Sequence, residues 1–470
     1  MNFYFNQIKY SALGEWFVRI SQPLILLLLT KFLTPLEFGI AAAATMLLTL
    51  SQIIWEGGVQ KIILTRKSLS NEFLENVFSL QIFLAFAISA VNLIAFPYLN
   101  QIIFENNVSI ELIILINLNM IISAACSLKL MQLQKDFKYK TLLSIKVIAT
   151  IVFFISSIIL ALLNFTYWSI IVGTALAKLA QLITLHVHYK DLPRLIFKLK
   201  HAKEIINYMK WTMTSAFLAW FFLWADSLIV TQIYGLEVLG VYRYAYGIIA
   251  LLSAILLNPI YPIIQSKIAR IVEHVIEIRR LIVACEQFLM ILVFSILVTL
   301  TLNLDTAYHF LENTKYVQSS EYLAPMLCAS LIAQMASIRQ LVYPIIGLEK
   351  VETKIMIISG AIRLLFYIFA AQYSIVIFLW FKVLSTVIGL INHSYFSKKY
   401  LKLGIRMHLK LLINLVSTSI LISTIIWAMK LLYTENLMLI LITTIVLSCI
   451  SFGWFIISSF SDLRWHFNKL

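Results

Sequence analysis

Charged residues are scarce in this chain. They make up 13% of the sequence, whereas hydrophobic residues make up 61%. A soluble globular domain has about a quarter of its residues charged, and it could not stay in solution with so little polar surface. Apolar runs of roughly twenty residues recur from one end of the chain to the other, as a helical protein that crosses a membrane many times requires.

Signals of catalysis and metal binding are also lacking. The four cysteines (Cys126, Cys285, Cys328 and Cys449) are scattered along apolar segments, with no Cys-x-x-Cys pair or Cys/His cluster. There is no Gly-rich phosphate loop ending in Gly-Lys-Ser/Thr and no nucleophile–base arrangement. We therefore expect no cofactor, no metal and no enzymatic activity. The sequence also lacks an obvious cleavable signal peptide, so the first apolar run is expected to be a retained span.

The apolar runs predict an all-α polytopic membrane protein with about 14 transmembrane helices. The predicted spans are 11–33, 39–64, 73–98, 108–131, 141–163, 167–189, 207–232, 238–264, 281–302, 321–347, 355–373, 374–397, 409–433 and 436–459.

The loop charges give these spans an orientation. Lysine and arginine concentrate in every second connection, and the remaining connections hold only Lys31, Lys315 and Lys430. Because cytoplasmic loops carry the positive excess, both termini are predicted to be cytoplasmic. The net charge of +15 is therefore mostly topological and does not indicate a nucleic-acid partner. The longest predicted outer loop, 303–320, is too short to fold as a domain, which argues against a polysaccharide polymerase or ligase.

Two segments of the chain resemble each other. "TKFLTPLEFGIAAAATML" (30–47) and "TQIYGLEVLGVYRYAYGI" (231–248) each join the end of one predicted helix to the start of the next. Gly39 of the first segment and Gly240 of the second are 201 residues apart. We call these the first and second repeat segments and interpret them as traces of an internal duplication.

A second correspondence supports the duplication. Lys178 and Lys382 fall at equivalent places in predicted helices 6 and 12. We divide the chain into an N-terminal lobe (1–200, helices 1–6), a C-terminal lobe (201–404, helices 7–12) and two appended helices (405–470). Each lobe has an even number of spans, so both insert with the same orientation. Parallel halves of this kind are typical of transporters whose site lies near the membrane midplane.

Several motifs support a family resemblance. "ADSLIVTQIYGLEVLGVYRYAYGI", "LTPLEFGIAAAATMLLTLSQIIWEGGVQKIIL" and "NPIYPII" resemble the helix 7–8, helix 1–2 and helix 8 regions of polysaccharide exporters. The chain resembles Wzx-type flippases of the multidrug/oligosaccharidyl-lipid/polysaccharide superfamily. The resemblance implies two six-helix lobes in the V shape of MATE (multidrug and toxin extrusion) transporters. It also implies a bacterial inner-membrane location and a substrate glycan on undecaprenyl pyrophosphate, with membrane lipid, a polysaccharide polymerase and a chain-length regulator as partners.

We single out nine charged residues of the apolar runs, where each needs a partner or a wet cavity because a midplane charge costs about 2.5–3.5 kcal/mol. Glu15 precedes Arg19 by one helical turn, a favourable order for an ion pair. Arg19 and Glu56 match in depth, and so do Asp226 and Arg243. Ion pairing and function both remain open for these five residues, of which Glu15, Glu56 and Asp226 are candidate gating or pairing acids. The nine residues singled out are Glu15, Arg19, Glu56, Lys178, Asp226, Arg243, Arg339, Arg363 and Lys382.

Four of these cations have no obvious acidic neighbour in the sequence. Lys178, Arg339, Arg363 and Lys382 are predicted to bind an anionic headgroup, since arginine forks and lysine ammonium groups suit a pyrophosphate. Related lipid II flippases place cations on helices 1, 2 and 8, which adds Arg19 and Arg243 to the predicted substrate site. Helix 2 departs from that pattern because it offers an acid instead.

Two functions outside the enzymes fit these features. The first is a flippase that moves a lipid-linked oligosaccharide from the inner to the outer leaflet by alternating access. The alternative is a cation-coupled multidrug antiporter of the same superfamily. An antiporter site is expected to rely on buried acids, whereas the unpaired charges of this sequence are mainly cationic.

Overall fold

The computed structural model describes residues 2–60, 69–188, 199–256, 276–286 and 315–403, with isolated positions between 61 and 275. Within these residues the chain is helical and contains no strand. The helices are α1 (Asn2–Leu29), α2 (Pro35–Glu56), α3 (Asn71–Ile94), α4 (Phe96–Ile103), α5 (Ile110–Lys135), α6 (Tyr139–Leu162), α7 (Trp168–His188), α8 (Leu199–Leu256), α9 (Ser319–Ile345), α10 (Glu349–Ala370) and α11 (Ile375–Leu401).

The predicted fold class is confirmed. The described part of the chain holds nine helices that are long and apolar enough to cross a membrane. Predicted spans 1 to 8 and 10 to 12 each coincide with a helix, and the start of span 9 is helical up to Glu286. The remainder of span 9 and spans 13 and 14 lie outside the described residues. The chain is therefore a multi-pass membrane protein.

Both boundaries of the second span differ from the prediction. α2 begins four residues earlier than predicted because Thr34 and Glu37 form a capping box, and Pro35 occupies the first helical position. α2 ends at Glu56, where Gly57 closes the helix with a left-handed residue, although apolar side chains continue beyond it. A short helix that was not predicted, α4, follows α3 because Pro97 starts a new helix.

Predicted helices 7 and 8 follow each other without a loop and share the label α8, but they are two helices that meet at Gly235. The only non-helical residue of α8 is Gly235, with φ 90° and ψ 170°. This conformation is open to glycine and strained for other residues, so the break falls where the sequence allows it. α8 therefore has a first segment, residues 199–234, and a second segment, residues 236–256.

The chain forms two compact units, Met1–Ile255 and Leu256–Leu470. α8 belongs to the first unit because its first segment packs along α2. The Thr212 hydroxyl donates to the carbonyl of Gly57 at 2.6 Å, and the Trp220 indole donates to the Thr49 hydroxyl at 3.1 Å. The packing boundary thus lies later in the sequence than the lobe boundary inferred from the repeat, which stays a prediction.

Buried amide groups join the helices of the first unit. The Asn92 side chain on α3 donates to Asn117 on α5 at 2.9 Å, and Asn117 donates to the carbonyl of Ser89 at 3.2 Å. Asn119 on α5 donates to the Thr174 hydroxyl on α7 at 3.0 Å. Polar side chains inside a membrane need such partners, and these bonds fix the neighbouring helices around the charged residues described next.

Candidate functional site

Arg243 lies in an aromatic cradle on the second segment of α8. Its guanidinium carbon is 3.8 Å from the centre of the Trp224 ring and 5.3 Å from the centre of the Tyr246 ring. Both distances are within the range of cation–π attraction. The Arg243 Nε and Nη2 atoms are buried and have no hydrogen-bond partner among the described residues. The cradle therefore holds a cation whose donors remain available to an anionic ligand.

Asp226 is buried beside this cradle and has partners of its own. The Tyr242 hydroxyl donates to Asp226 Oδ2 at 2.5 Å, and the backbone and hydroxyl of Ser227 donate to Oδ1 at 2.6 and 3.1 Å. Depth matching predicts an ion pair of Asp226 with Arg243, and the two charges do share an environment, since both act on Tyr246. The contacts just given, however, come from hydroxyl and amide groups. The direct ion pair stays a prediction.

Lys178 has an acidic neighbour that its position in the sequence conceals. It lies half-buried on α7, near the Cys126 thiol of α5 and within electrostatic range of the Glu56 carboxylate of α2. Glu56 also accepts a hydrogen bond from the Gln52 amide at 2.9 Å. Helix packing thus brings α2 to the face of α7 and gives Lys178 an acid in its surroundings that the sequence does not reveal. The predicted substrate role of Lys178 stays a prediction.

The structure describes fewer contacts for the two charged residues of α1. Arg19 is exposed on α1, and it takes part in a contact. The side chain of Glu15 lies outside the described residues, so the predicted pairing of Glu15 with Arg19 stays a prediction.

The second unit contains a buried ion pair. Arg339 on α9 donates through Nε to Glu286 Oε1 at 2.6 Å and through Nη2 to Glu286 Oε2 at 3.0 Å. Both side chains are 0% exposed. The expectation that Arg339 has no acidic neighbour is wrong. The bidentate geometry occupies the fork that a pyrophosphate would use, and it gives Arg339 a structural reason to be present.

His393 lies next to this pair. It is 5% exposed, and its Nε2 atom is 3.0 Å from the Gln340 side-chain nitrogen. The charges of Arg339 and Arg363 both act on it. Arg363, on α10, is half-buried, and its Nε atom is buried without a hydrogen-bond partner among the described residues. Arg363 therefore shares with Arg243 a buried Nε atom that has no partner among the described residues.

Lys382 lies half-buried on α11, and its carbonyl accepts hydrogen bonds from the hydroxyls of Ser385 and Thr386 at 2.7 and 2.8 Å. Its side chain also has a contact. Lys178 and Lys382 belong to different units, and their predicted joint role stays a prediction.

The sequence analysis missed two residues that bind charged side chains, Glu286 and Tyr242. Glu286 lies six residues into predicted helix 9, and Arg339 lies eight residues from the end of predicted helix 10. The same depth matching that was applied to Asp226 would have paired them. Tyr242 gives no such signal, because a tyrosine in an apolar helix has no feature that marks it as the partner of an acid.

Comparison with known proteins identifies a family and several solved structures of similar fold. A family model described as polysaccharide biosynthesis protein matches residues 28–321. None of the curated proteins matches the sequence. Among solved structures, the lipid II flippase MurJ in an inward closed conformation is similar with a TM-score of 0.76 at 17% identity, over 97% of this chain and 100% of that chain.

Two multidrug transporters share the fold more distantly. A mutant of the Vibrio cholerae MATE transporter VcmN is similar with a TM-score of 0.54 at 12% identity, over 84% of this chain and 98% of that chain. An inward-facing multidrug resistance transporter of the MATE family has a TM-score of 0.51 at 13% identity, over 84% of this chain and 94% of that chain. Because the family model covers more than half of its length, this chain belongs to the polysaccharide biosynthesis protein family, and it has the fold of MOP superfamily transporters.

Proposed function

We propose that this protein flips an undecaprenyl-pyrophosphate-linked oligosaccharide from the inner to the outer leaflet of the bacterial inner membrane. The movement follows alternating access and serves the synthesis of O-antigen or a related surface polysaccharide, as expected of a Wzx-type flippase. Membership of a polysaccharide biosynthesis family supports the glycan, and the likeness to a lipid II flippase supports the lipid carrier. The protein supplies binding and movement rather than bond chemistry, and a polysaccharide polymerase and a chain-length regulator act after it.

The observation that carries this proposal is the state of Arg243. Arg243 places a guanidinium inside a membrane-spanning helix, and its buried Nε and Nη2 atoms have no hydrogen-bond partner among the described residues. An anion would complete these two donors. The Trp224 ring keeps the group in place without consuming its donors. A pyrophosphate supplies oxygens in the geometry that an arginine fork binds.

The remaining predicted cations have different weights in this proposal. Arg363 has an unpartnered buried Nε atom, as Arg243 does, so we propose it as an anion-binding cation of the second unit. Lys178 and Lys382, with Arg19, contribute positive potential along the route. Arg339 is assigned to the Glu286 pair instead of the substrate, since its fork is occupied.

Replacement of Arg243 tests the proposal in cells that depend on this protein for surface glycan. Arg243→Ala should reduce surface glycan roughly tenfold or more, the effect of losing about 1.4 kcal/mol of binding. Lipid-linked oligosaccharide should accumulate on the inner leaflet. Arg243→Lys should restore part of the export because the charge survives while the fork is lost.

A matched control comes from Lys399, an exposed cation that also lies over an aromatic ring, 5.6 Å from the centre of Tyr400 in the last turn of α11. Lys399→Ala should leave export unchanged. Normal surface glycan in Arg243→Ala, with folded protein in the membrane, would remove Arg243 from the substrate site. Loss of drug resistance with normal glycan would instead favour a cation-coupled multidrug antiporter.

A further inference from the structure

The break in α8 creates a helix start whose first flanking residue, Gly235, has no side chain to cap it. After Gly235 the chain re-enters a helix at Leu236, so the first amides of this second segment lack partners within the helix. Gly235 has no side chain with which to accept them. A helix start of this kind needs an acceptor from elsewhere, and acidic groups are favoured there because of the helix dipole.

The acceptor is Glu105, which lies 131 residues earlier in the chain, between α4 and α5. Its Oε1 atom accepts the Leu236 amide at 3.0 Å. A Cβ atom at Gly235 would lie 3.2 Å from the same oxygen, so the carboxylate rests directly on the glycine. On the other side of the break, the Gln232 side chain donates to the carbonyl of Ile102. The α4–α5 connection is therefore bonded to both sides of the break.

The first repeat segment meets the same need by itself. Thr34 stands 201 residues before Gly235, and its hydroxyl accepts the Glu37 amide at 3.3 Å while Glu37 accepts the Thr34 amide at 2.7 Å. The residue that corresponds to Glu37 in the second repeat segment is Val238, which cannot accept a hydrogen bond through its side chain. The start of α2 is therefore capped by its own residues, whereas the start of the second segment of α8 is capped by a residue of the predicted N-terminal lobe.

The loop that carries Glu105 is built to present it. Phe104 is 0% exposed and anchors the loop in the first unit. The amide of Asn106 donates to the carbonyl of Asn100 at 2.9 Å, and the amide of Asn107 donates to that of Phe104 at 2.8 Å. Glu105 itself has a φ of 51°, a left-handed conformation that costs free energy for a residue with a side chain. The backbone bonds on either side hold it in that conformation.

We propose that Glu105 is a detachable helix cap that positions the second segment of α8, and with it Arg243 two turns further along, and that the cap is released when the two repeat segments separate on the outer side. This inference rests on the alternating-access function proposed above. A capping hydrogen bond within one helix persists in every state of the transporter. A capping hydrogen bond from another lobe is lost when the two lobes move apart. Glu105 therefore favours the state in which the outer side is closed, by a factor of roughly 2 to 30.

A thiol at Thr30 can report this equilibrium. Thr30 is buried in the first repeat segment beside Tyr244 of the second, so separation of the two segments would expose it. The reporter is Thr30→Cys in a chain whose four native cysteines are replaced. The measurement is the rate of alkylation by a membrane-impermeant maleimide added to the outer side of spheroplasts, and it needs no transport substrate.

Glu105→Ala should speed alkylation roughly 3- to 30-fold, and Glu105→Gln should give a smaller increase because the amide oxygen still accepts the hydrogen bond. Glu37→Ala is the matched control, since it removes a cap that lies within one repeat segment, and it should change the rate less than about twofold. An unchanged rate in Glu105→Ala, or an equal increase in Glu37→Ala, would overturn the proposal.

A second variant distinguishes two effects of Glu105: stabilising the helix start, and connecting the α4–α5 loop to α8. Val238→Glu in the Glu105→Ala background gives the second segment of α8 its own carboxylate, so protein that Glu105→Ala alone fails to accumulate should recover. Alkylation should nevertheless stay fast, because the link to the α4–α5 loop is still missing. Recovery of the slow rate would show that Glu105 only stabilises the helix. Since the readout is thiol exposure, failure here leaves the glycan function of Arg243 to be judged by its own experiment.

Discussion

Gly39 and Gly240 pack backbone against backbone, although 201 residues separate them in sequence. A Cβ atom on Gly39 would lie 1.9 Å from the carbonyl oxygen of Leu236, and one on Gly240 would lie 1.8 Å from that of Pro35. Pro35 and Leu236 are also 201 residues apart, so each repeat segment makes the same contact with the other. This reciprocity is the signature of a local two-fold relation, and it places the duplicated segments face to face.

Alanine at either glycine of this contact should destabilise the first unit. A methyl group would overlap a backbone carbonyl, which cannot rotate away as a side chain can, so Gly39→Ala and Gly240→Ala should each cost about 1–3 kcal/mol or more. Thermal unfolding in detergent measures the loss. Gly247→Ala on the same helix is the control, because its Cβ would meet only the Leu27 side chain at 3.5 Å. Equal melting temperatures for all three variants would contradict the close contact.

The Arg339–Glu286 pair should matter for stability rather than for substrate. Arg339→Ala leaves a buried carboxylate uncompensated and should cost about 3–5 kcal/mol, seen as lost expression or a lower melting temperature. Arg339→Met combined with Glu286→Leu should recover most of the loss, since apolar groups need no partner there. Export should return with the folded protein. A stable double variant with no surface glycan would restore Arg339 to the substrate site.

The Tyr242 hydroxyl should stabilise the buried Asp226. Tyr242→Phe removes a donor to a carboxylate that is 8% exposed, and it should cost about 1–3 kcal/mol of folding free energy. Tyr246→Phe removes a hydroxyl from the same segment at a residue that is 37% exposed, and its cost should be small. Chemical or thermal unfolding of the two purified variants compares them directly. An effect of Tyr242→Phe no larger than that of Tyr246→Phe would contradict a stabilising role of the Tyr242 hydroxyl.

The predicted topology can be tested with a reporter that is active only outside the cytoplasm. A fusion after Leu470 should be silent, because the Lys and Arg bias places both termini inside. A fusion after Asn106, in the connection between α4 and α5, should be active. Activity at both positions would mean that the number of spans after Asn106 is even, contrary to the predicted odd count of eleven further spans.

The sequence by itself determined the class of the protein and the places of most helices. Every membrane-spanning helix must be apolar, and apolarity is a local property of the sequence. The prediction of spans 1 to 8 and 10 to 12 therefore needed no knowledge of packing. The repeat was also visible, because a duplication leaves residues such as Gly39 and Gly240 in register. Their contact was not visible, since the spacing of two residues in sequence does not say whether they touch.

Only the tertiary structure decided the partners of the charged residues. Arg339 pairs with Glu286, and Leu236 is capped by Glu105. In both cases the two residues lie on different elements far apart in the chain. Depth along a span can be counted from the sequence, but the face of a helix that meets a given neighbour follows from packing. A charged residue in a membrane needs a partner, and the sequence shows which residues are charged. The contacts between helices determine which residue is the partner of each charge.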